Sequence, residues 1–504
     1  MGRKILKKPE VLAPAGTLEK LKTAILYGAD AVFLGGEAYG LRSRAGNFDF
    51  EEMKEAVEFA HSHNAKVYIA ANMVTHEGDE KGAGEFFRTV RDLGIDAAII
   101  SDMALMDICA SEAPGLPIHL STQASAANWE TLNFWKDEGL ERVVLAREVS
   151  MAEIQEMQEK VDVEIEAFIH GAMCISYSGR CVLSNHMVRR DANRGGCAQS
   201  CRWKYGLFDM PFANEKNMVG AGEEGIEEKF SMSAVDLSMI HNLPDLIEAG
   251  VDSLKIEGRM KSIHYVSTVA NVYRAAVDSY CEDPDNYVCK QEWVDELWKA
   301  AQRELATGFY YQIPTEEEQL FGARRQIPQY AFVGQVLEYD PETQIATIQQ
   351  RNNFKVGDHI EFYGPGMRHH EEVLTTLWDE NGEEIEADNT GDESANLVDY
   401  ERYAVSQEAL PTNGKHRPTT IVHLSLDGTD SCKARCAEKV ESKEAVAYYA
   451  AGKVFLNLWP NLVSGIGQRL CTCIVEEGTE GSYYVFLSNK TGNRSHNRLP
   501  LTPS

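Results

Sequence analysis

Positive charge is scarce in this 504-residue chain: 49 Lys and Arg stand against 78 Asp and Glu, a formal net charge of -29 at pH 7. A surface so acidic repels phosphate backbones, so a nucleic-acid partner must meet a local basic patch. No run reaches the roughly 18 apolar residues that a bilayer-spanning helix needs. The basic start Met1-Gly-Arg-Lys-Ile-Leu-Lys-Lys leads only into Val11-Leu-Ala-Pro-Ala, too short for a secretory signal. Leu6 stands where an N-myristoylation signal has Ser or Thr. The expectation is a cytoplasmic protein with no membrane partner. HExxH and GxSxG are absent and no GxGxxG follows the first strand, which argues against a zinc protease, an α/β-hydrolase and a Rossmann dinucleotide site.

What remains is an ordinary globular composition, 43% hydrophobic and 25% charged, long enough for two or three domains. Four times in the first 255 residues a helix-like segment ends in Gly, an acid follows two positions later, and an apolar strand begins. The copies are Gly28-Ala-Asp-Ala-Val, Gly94-Ile-Asp-Ala-Ala, Gly139-Leu-Glu-Arg-Val and Gly250-Val-Asp-Ser-Leu. Gly suits the left-handed turn just past a helix C-terminus. Strands are expected at 11–15, 31–35, 66–71, 97–101, 118–122, 142–146, 164–170 and 253–257, with amphipathic helices such as 51–62 and 152–160 between them. Eight such units predict a TIM-barrel-like (β/α)8 domain over residues 8–320, in preference to an open doubly wound sheet. A ninth β-like run, 229–235, is assigned to an insertion.

A barrel of this kind carries its chemistry on the loops after the strands, and the strand ends here are polar. They read Gly36-Glu37, Asn72, Ser101-Asp102, Thr122-Gln123, Arg147-Glu148, His170 and Glu257-Gly-Arg259. Asp102 and Thr122 also suit helix N-caps. After helices at 263–280 and 292–305 the period falls to two. Runs at 330–339, 344–349 and 356–363 predict a small antiparallel β-barrel domain over 328–384. Residues 385–504 form a C-terminal extension assigned to no domain.

Of eleven Cys, four are grouped: Cys174, Cys181, Cys197 and Cys201, spaced C-x6-C-x15-C-x3-C on the loop after the seventh strand. A reducing cytosol disfavours disulfides, and four thiolates from one loop make a ligand set for zinc or for an iron–sulfur cluster. The spacing leaves the metal open. The same loop, 171–204, carries Arg180, Arg189, Arg190, Arg194, Arg202 and Lys204 against Asp191 alone between residues 180 and 204. Such a stretch suits an anionic thiolate cluster, a carboxylate, or the phosphates of a nucleic acid.

The stretch Glu166-Ala-Phe-Ile-His-Gly-Ala-Met-Cys-Ile-Ser-Tyr-Ser-Gly-Arg-Cys-Val-Leu-Ser184 resembles the signature of the U32 peptidase family, as does Asn193-Arg-Gly-Gly-Cys-Ala-Gln-Ser-Cys-Arg202. Glu10-Val-Leu-Ala-Pro-Ala-Gly, Gly40-Leu-Arg-Ser-Arg-Ala-Gly-Asn-Phe48 and Ser253-Leu-Lys-Ile-Glu-Gly-Arg259 resemble other parts of it, so the likeness covers about residues 8 to 370. The resemblance implies a barrel with a [4Fe–4S] cluster on Cys174, Cys181, Cys197 and Cys201, loaded by iron–sulfur assembly machinery. The chain is most similar to the branch that forms 5-hydroxyuridine at the tRNA wobble position with prephenate as the required metabolite. After about Glu384 it departs from the family's usual ending.

That reading makes tRNA a partner at the basic loop 180–204 and a small dicarboxylate a ligand of cationic groups: Arg42, Arg44, Arg147, Arg194 and Arg259. His170 and Glu257 are the expected catalytic pair, His170 as a proton carrier or a cover for the cluster. The alternatives are a collagenase-like peptidase, for which a paired nucleophile and base are wanting, and a zinc-stabilised RNA-binding scaffold.

Overall fold

The computed structural model describes residues 7–40, 47–206, 229–315, 318, 319, 330–340, 343, 345–379, 382, 384 and 385, and the strands at 402–406, 420–425, 472–477, 483–488 and 499–501. Eight parallel strands close on themselves: β1 (Glu10–Pro14), β2 (Ala31–Leu34), β3 (Lys66–Ala71), β4 (Ala97–Ile100), β5 (Ile118–Leu120), β6 (Arg142–Val144), β7 (Glu164–Ala172) and β8 (Ser253–Ile256). Closure is made by β8, which pairs in parallel with β1 on one side and β7 on the other. Helices α1 (Leu18–Leu26), α2 (Phe50–Ser62), α3 (Ala83–Asp92), α4 (Met103–Glu112), α5 (Trp129–Asp137), α6 (Met151–Lys160), α7 (Leu243–Glu248) and α8 (Ile263–Glu282) alternate with them. The fold is the TIM-like barrel that the repeat implied.

The repeat has a physical cause on both of its fixed positions. Gly28, Gly94, Gly139 and Gly250 all have positive φ, between 84° and 102°. The acid two residues on caps the neighbouring strand: Asp30 accepts the Val11 N–H at 2.8 Å, Asp96 that of Val67 at 2.7 Å and Asp252 that of Ile165 at 2.9 Å. Each N–H lies near a strand start, where the carboxylate replaces a ladder partner. Helices α2 and α6 begin with reciprocal capping boxes, Asp49 with Glu52 and Ser150 with Glu153.

Apolar packing fills the layer between strands and helices, and Leu12, Ala31, Phe33, Tyr68, Ala97 and Ile99 form a separate cluster inside the barrel. Tyr205–Gly206 and Lys229–Phe230 pair antiparallel and close the base of the insertion. Asp236–Ser238 lies antiparallel against the outer end of β7, outside the parallel ring. Helix α9 (Gln291–Ala300) stops five residues before the expected end, because Ala301 turns extended and Leu305–Ala306 pairs with Asp236–Leu237.

A second sheet of eight strands is antiparallel. Its strand β9 (Tyr330–Asp340) pairs with β10 (Ile345–Gln350) and with Thr420–Ser425, which also pairs with β11 (His359–Gly364). The sheet thus takes in Arg402–Ser406 and Thr420–Ser425, past the residue-384 limit expected for this domain. Val333, Val336, Ile348, Ile360 and Phe362 lie in a core of its own. It is tied to the barrel: Tyr27 donates to the Tyr363 carbonyl at 2.8 Å, and Asn271 donates to the Gly364 carbonyl at 3.0 Å. Residues 426–504 make a separate unit, whose described strands, 472–477, 483–488 and 499–501, form one antiparallel sheet.

Candidate active site at the barrel mouth

The loop after β7 folds back over the C-terminal ends of the strands through three non-glycine residues at positive φ: Ser178 (48°), Arg189 (54°) and Gln199 (55°). Glu148 holds the first of these turns, accepting the Ser178 N–H at 2.6 Å and its hydroxyl at 2.8 Å. Asn193 clasps Cys181, accepting its N–H and donating to its carbonyl, both at 3.1 Å. Gly196 packs so closely on Asp191 that a Cβ would fall 2.5 Å from the Asp191 carbonyl oxygen.

This folding brings Cys174, Cys181, Cys197 and Cys201 to one cavity of about 170 Å³ at the mouth. All four are free thiols. The Leu183 N–H donates to Cys181 Sγ at 3.3 Å, and Cys174 Sγ lies 3.1 Å from the Ser176 hydroxyl. Burial pushes the Cys201 thiol up; Arg202 opposes this, and the other three thiols add to it. Arg202 donates to the Met173 carbonyl, while its Nη1 is buried with no protein acceptor. Four thiols and a cation with an unused donor fit a bound anionic metal–thiolate group.

The barrel side of the cavity supplies Arg147, Lys255, Glu257 and Arg259. Arg147 donates to Glu257 at 2.8 Å and to the Ala172 carbonyl at 2.7 Å, and its guanidinium lies 3.9 Å from the Phe168 ring centre. Arg259 is 5% exposed and donates to Asn47 at 3.0 Å. A Cβ at Gly35 would fall 2.3 Å from that guanidinium, so Gly35 makes room for it. Lys255 donates to Glu166 at 2.7 Å, and its ammonium lies 4.5 Å from the Phe33 ring centre and 5.5 Å from that of Phe168.

Four expected residues lie elsewhere or beyond description. His170 does not line the cavity. A register shift between β7 and β8, where Lys255 pairs with Phe168 but Ile256 with His170, breaks the alternation and re-aims the ring. It is 2% exposed, tilted against Tyr265 and edge-on to Tyr273, and burial pulls its pKa down to about 4, so it is neutral at physiological pH. His170 thus does not reach the cavity where it was expected to carry a proton or cover a bound group. Arg194 is bound to Asp79, with Nη2 at 2.9 Å, and clamps the cysteine loop to the segment after β3 instead of facing a ligand. Arg42 and Arg44 fall outside the described residues.

Below the cavity lies a charged interior built from residues within the strands rather than at their C-terminal ends. Arg142 reaches Glu10 at 2.8 Å, Glu164 at 2.8 Å and Glu166 at 3.3 Å, and Tyr68 donates to Glu10 at 2.7 Å. Burial, with Arg142, pushes His119 down to about 3. The signal was a charge in the middle of a short apolar strand, as in Ser253-Leu-Lys-Ile, which demands an internal partner.

A family model described as peptidase family U32 matches residues 16–320, and one described as the peptidase family U32 C-terminal domain matches 328–398. The chain belongs to peptidase family U32. This U32 chain is 54% identical over 385 residues to the tRNA hydroxylation protein P1 of Bacillus subtilis, covering 76% of itself and 90% of that protein. To the tRNA hydroxylation protein P of Escherichia coli it is 35% identical over 396 residues, 71% of this chain and 86% of the other. The 23S rRNA 5-hydroxycytidine synthase of Escherichia coli is 36% identical over 274 residues, 54% of this chain and 40% of that enzyme. Among the described residues no helix is long and apolar enough to cross a membrane.

Proposed function

We propose that this chain is a tRNA hydroxylase that forms 5-hydroxyuridine at the wobble position, with a [4Fe–4S] cluster on Cys174, Cys181, Cys197 and Cys201 and prephenate as co-substrate. The observation that carries the reading is the convergence of four free thiols and three buried or half-buried cations on one cavity, in a chain whose relatives are named for tRNA and rRNA hydroxylation. Four thiols from one loop are a ligand set for such a cluster.

The cluster would supply one-electron transfer when bound. Arg147, Lys255 and Arg259 would hold the two carboxylates of the metabolite, since guanidinium and ammonium donors match them in a site shielded from water. Glu257 orients Arg147 through their ion pair. The loop closes the mouth from above and limits entry of bulk water. A peptidase lacks support here: among the described residues no histidine lines the cavity to activate a thiol.

RNA would meet the outer face of the loop. Arg194 is engaged with Asp79, but Arg180, Arg189 and Lys204 are exposed, as are Tyr177 and Trp203. Cations beside exposed rings suit the phosphates and bases of a single-stranded anticodon loop. The test is nucleoside analysis of tRNA from a deletion strain carrying either the wild-type gene or Cys197→Ala. The wild type restores 5-hydroxyuridine-derived nucleosides and the variant restores none; restoration by both contradicts the reading.

A further inference from the structure

The cavity has two chemically different halves. Charge lies on the β6–β8 side, with Arg147, Lys255, Glu257 and Arg259. The β2–β5 side presents Phe33, Ala70, Ile99, Asn72, Ser121 and Gln123, without a formal charge among them. Within this neutral half two acceptors are unused: Gln123 Oε1 and Asn72 Oδ1 are buried and have no hydrogen-bond partner. Gln123 as a whole is 4% exposed.

The orientation of the Gln123 amide follows from what its nitrogen does. Gln123 Nε2 donates to the Gly179 carbonyl at 3.4 Å, which only an N–H can do, so the oxygen is the free end. Asn72 Nδ2 donates to the Ser121 hydroxyl oxygen at 3.2 Å, and the same oxygen accepts the Gln123 backbone N–H at 3.4 Å. The backbone carbonyl of Gln123 in turn accepts from Arg180 at 2.6 Å. Both residues are thus tied to the strand ends and to the cysteine loop, and their oxygens are held in place before any ligand arrives.

A buried acceptor without a donor is costly, and native proteins keep few of them. Two in one cavity call for a ligand that brings N–H or O–H groups to an apolar, uncharged wall. A carboxylate brings none and belongs with the cations opposite. A uracil base does bring one: its imide N3–H lies between two carbonyls on a flat apolar ring, and its ribose adds hydroxyls.

We propose that Gln123 selects the substrate base by accepting the N3–H of uracil, with Asn72 accepting a second donor from the same nucleoside. Cytosine is rejected because its N3 carries a lone pair that would face the Gln123 oxygen. The assignment rests on the hydroxylase reading above, and adds to it the residue that distinguishes the two pyrimidines.

The test compares hydroxylation of two tRNA transcripts that differ only in uridine or cytidine at the wobble position, by wild-type holoenzyme and by Gln123→Met, with Gln123→Ala as the alternative if Met does not fold. The wild type is expected to favour uridine by about 100-fold or more in kcat/KM, and the variants to lose at least about 10-fold of that ratio, as when a site built for a hydrogen bond loses its polar group. Iron content per chain stays that of the wild type. A merely structural residue lowers both rates together and leaves the ratio intact; that result overturns the assignment, as does a variant that raises only the KM for the dicarboxylate. If the wild type hydroxylates neither transcript under any supply of the metabolite, the hydroxylase reading falls and this inference with it.

Discussion

The Lys255 ammonium donates to Glu166 at 2.7 Å across the inside of the barrel, and Arg142 reaches the other oxygen of the same carboxylate at 3.3 Å. Glu166 is fully buried, so burial works against its ionisation, but the two cations outweigh it and hold its pKa below the ordinary value. The pair joins the floor of the cavity to the bottom of the barrel, where Arg142 continues to Glu10 and Glu164. One face of Lys255 thereby serves the fold and the other the cavity.

Removing Glu166 leaves two buried cations with too few anions. Glu166→Leu is expected to destabilise the chain by roughly 3–5 kcal/mol, the usual cost of breaking one side of a buried ion pair. Urea unfolding monitored by tryptophan fluorescence measures this. The sign with pH follows from the depressed pKa: the stability is present above the unfolded carboxyl value and is lost as pH falls through the folded one. A midpoint unchanged by the substitution contradicts the pairing.

A second charged knot joins the two domains. Lys299 lies 2.5 Å from Glu296 and 2.7 Å from Glu361, and His369 lies 2.7 Å from Glu361 and 3.9 Å from Glu296. Burial raises the Glu296 pKa, so Lys299→Met, which strands two carboxylates, is expected to cost roughly 3–5 kcal/mol and Glu296→Gln distinctly less. The hydrogen bond to Glu361 raises the His369 pKa, so its contribution is full below the unfolded histidine value and fades as pH rises through the folded one. Thermal melts between pH 5.5 and 8 check this: His369→Ala flattens the loss on the alkaline side if the account holds.

On the proposed function, the cations in the cavity and the basic outer loop have separable roles. Arg259→Lys keeps the charge but loses the planar fork, and is expected to raise the KM for the dicarboxylate about 10- to 100-fold with little change in the KM for tRNA. Steady-state kinetics with each substrate varied in turn decides it. Equal effects on both substrates would mean that Arg259 supports the cavity without touching the metabolite.

On the outer loop, Arg189→Glu with Lys204→Glu reverses two exposed charges. Binding of tRNA is expected to weaken and the slope of log affinity against log salt to fall by about 1 to 2 in magnitude, as for the loss of two phosphate contacts. Filter binding across a salt series provides the measurement. A slope equal to that of the wild type places the RNA on another face.

The barrel strands were legible because they obey local rules: apolar runs of three to nine residues, four of them preceded by a glycine at positive φ, and in three of these four an acid caps the neighbouring strand. The four cysteines were legible as a group, and Arg147, Glu257 and Arg259 as strand-end residues. The place of His170 off the cavity lining was not legible, because a register shift in β7 breaks the period-two rule at that point. Lys255 was passed over because it lies within a strand, where charge is expected only when a partner such as Glu166 comes from far away in sequence. The strand at 420–425 was hidden for a related reason, since its pairing with residues 330–336 spans about ninety positions of mostly polar chain. Long-range partners leave no local trace.

The account stands or falls on what the four thiols hold. Iron, acid-labile sulfide and zinc should be measured on protein purified without air, beside its visible absorption and that of Cys197→Ala. About four iron and four sulfide per chain in the wild type, with a broad visible band absent from the variant, is the predicted result. One zinc per chain with no sulfide would make Cys174, Cys181, Cys197 and Cys201 a structural clamp and contradict the hydroxylase chemistry proposed for the cavity.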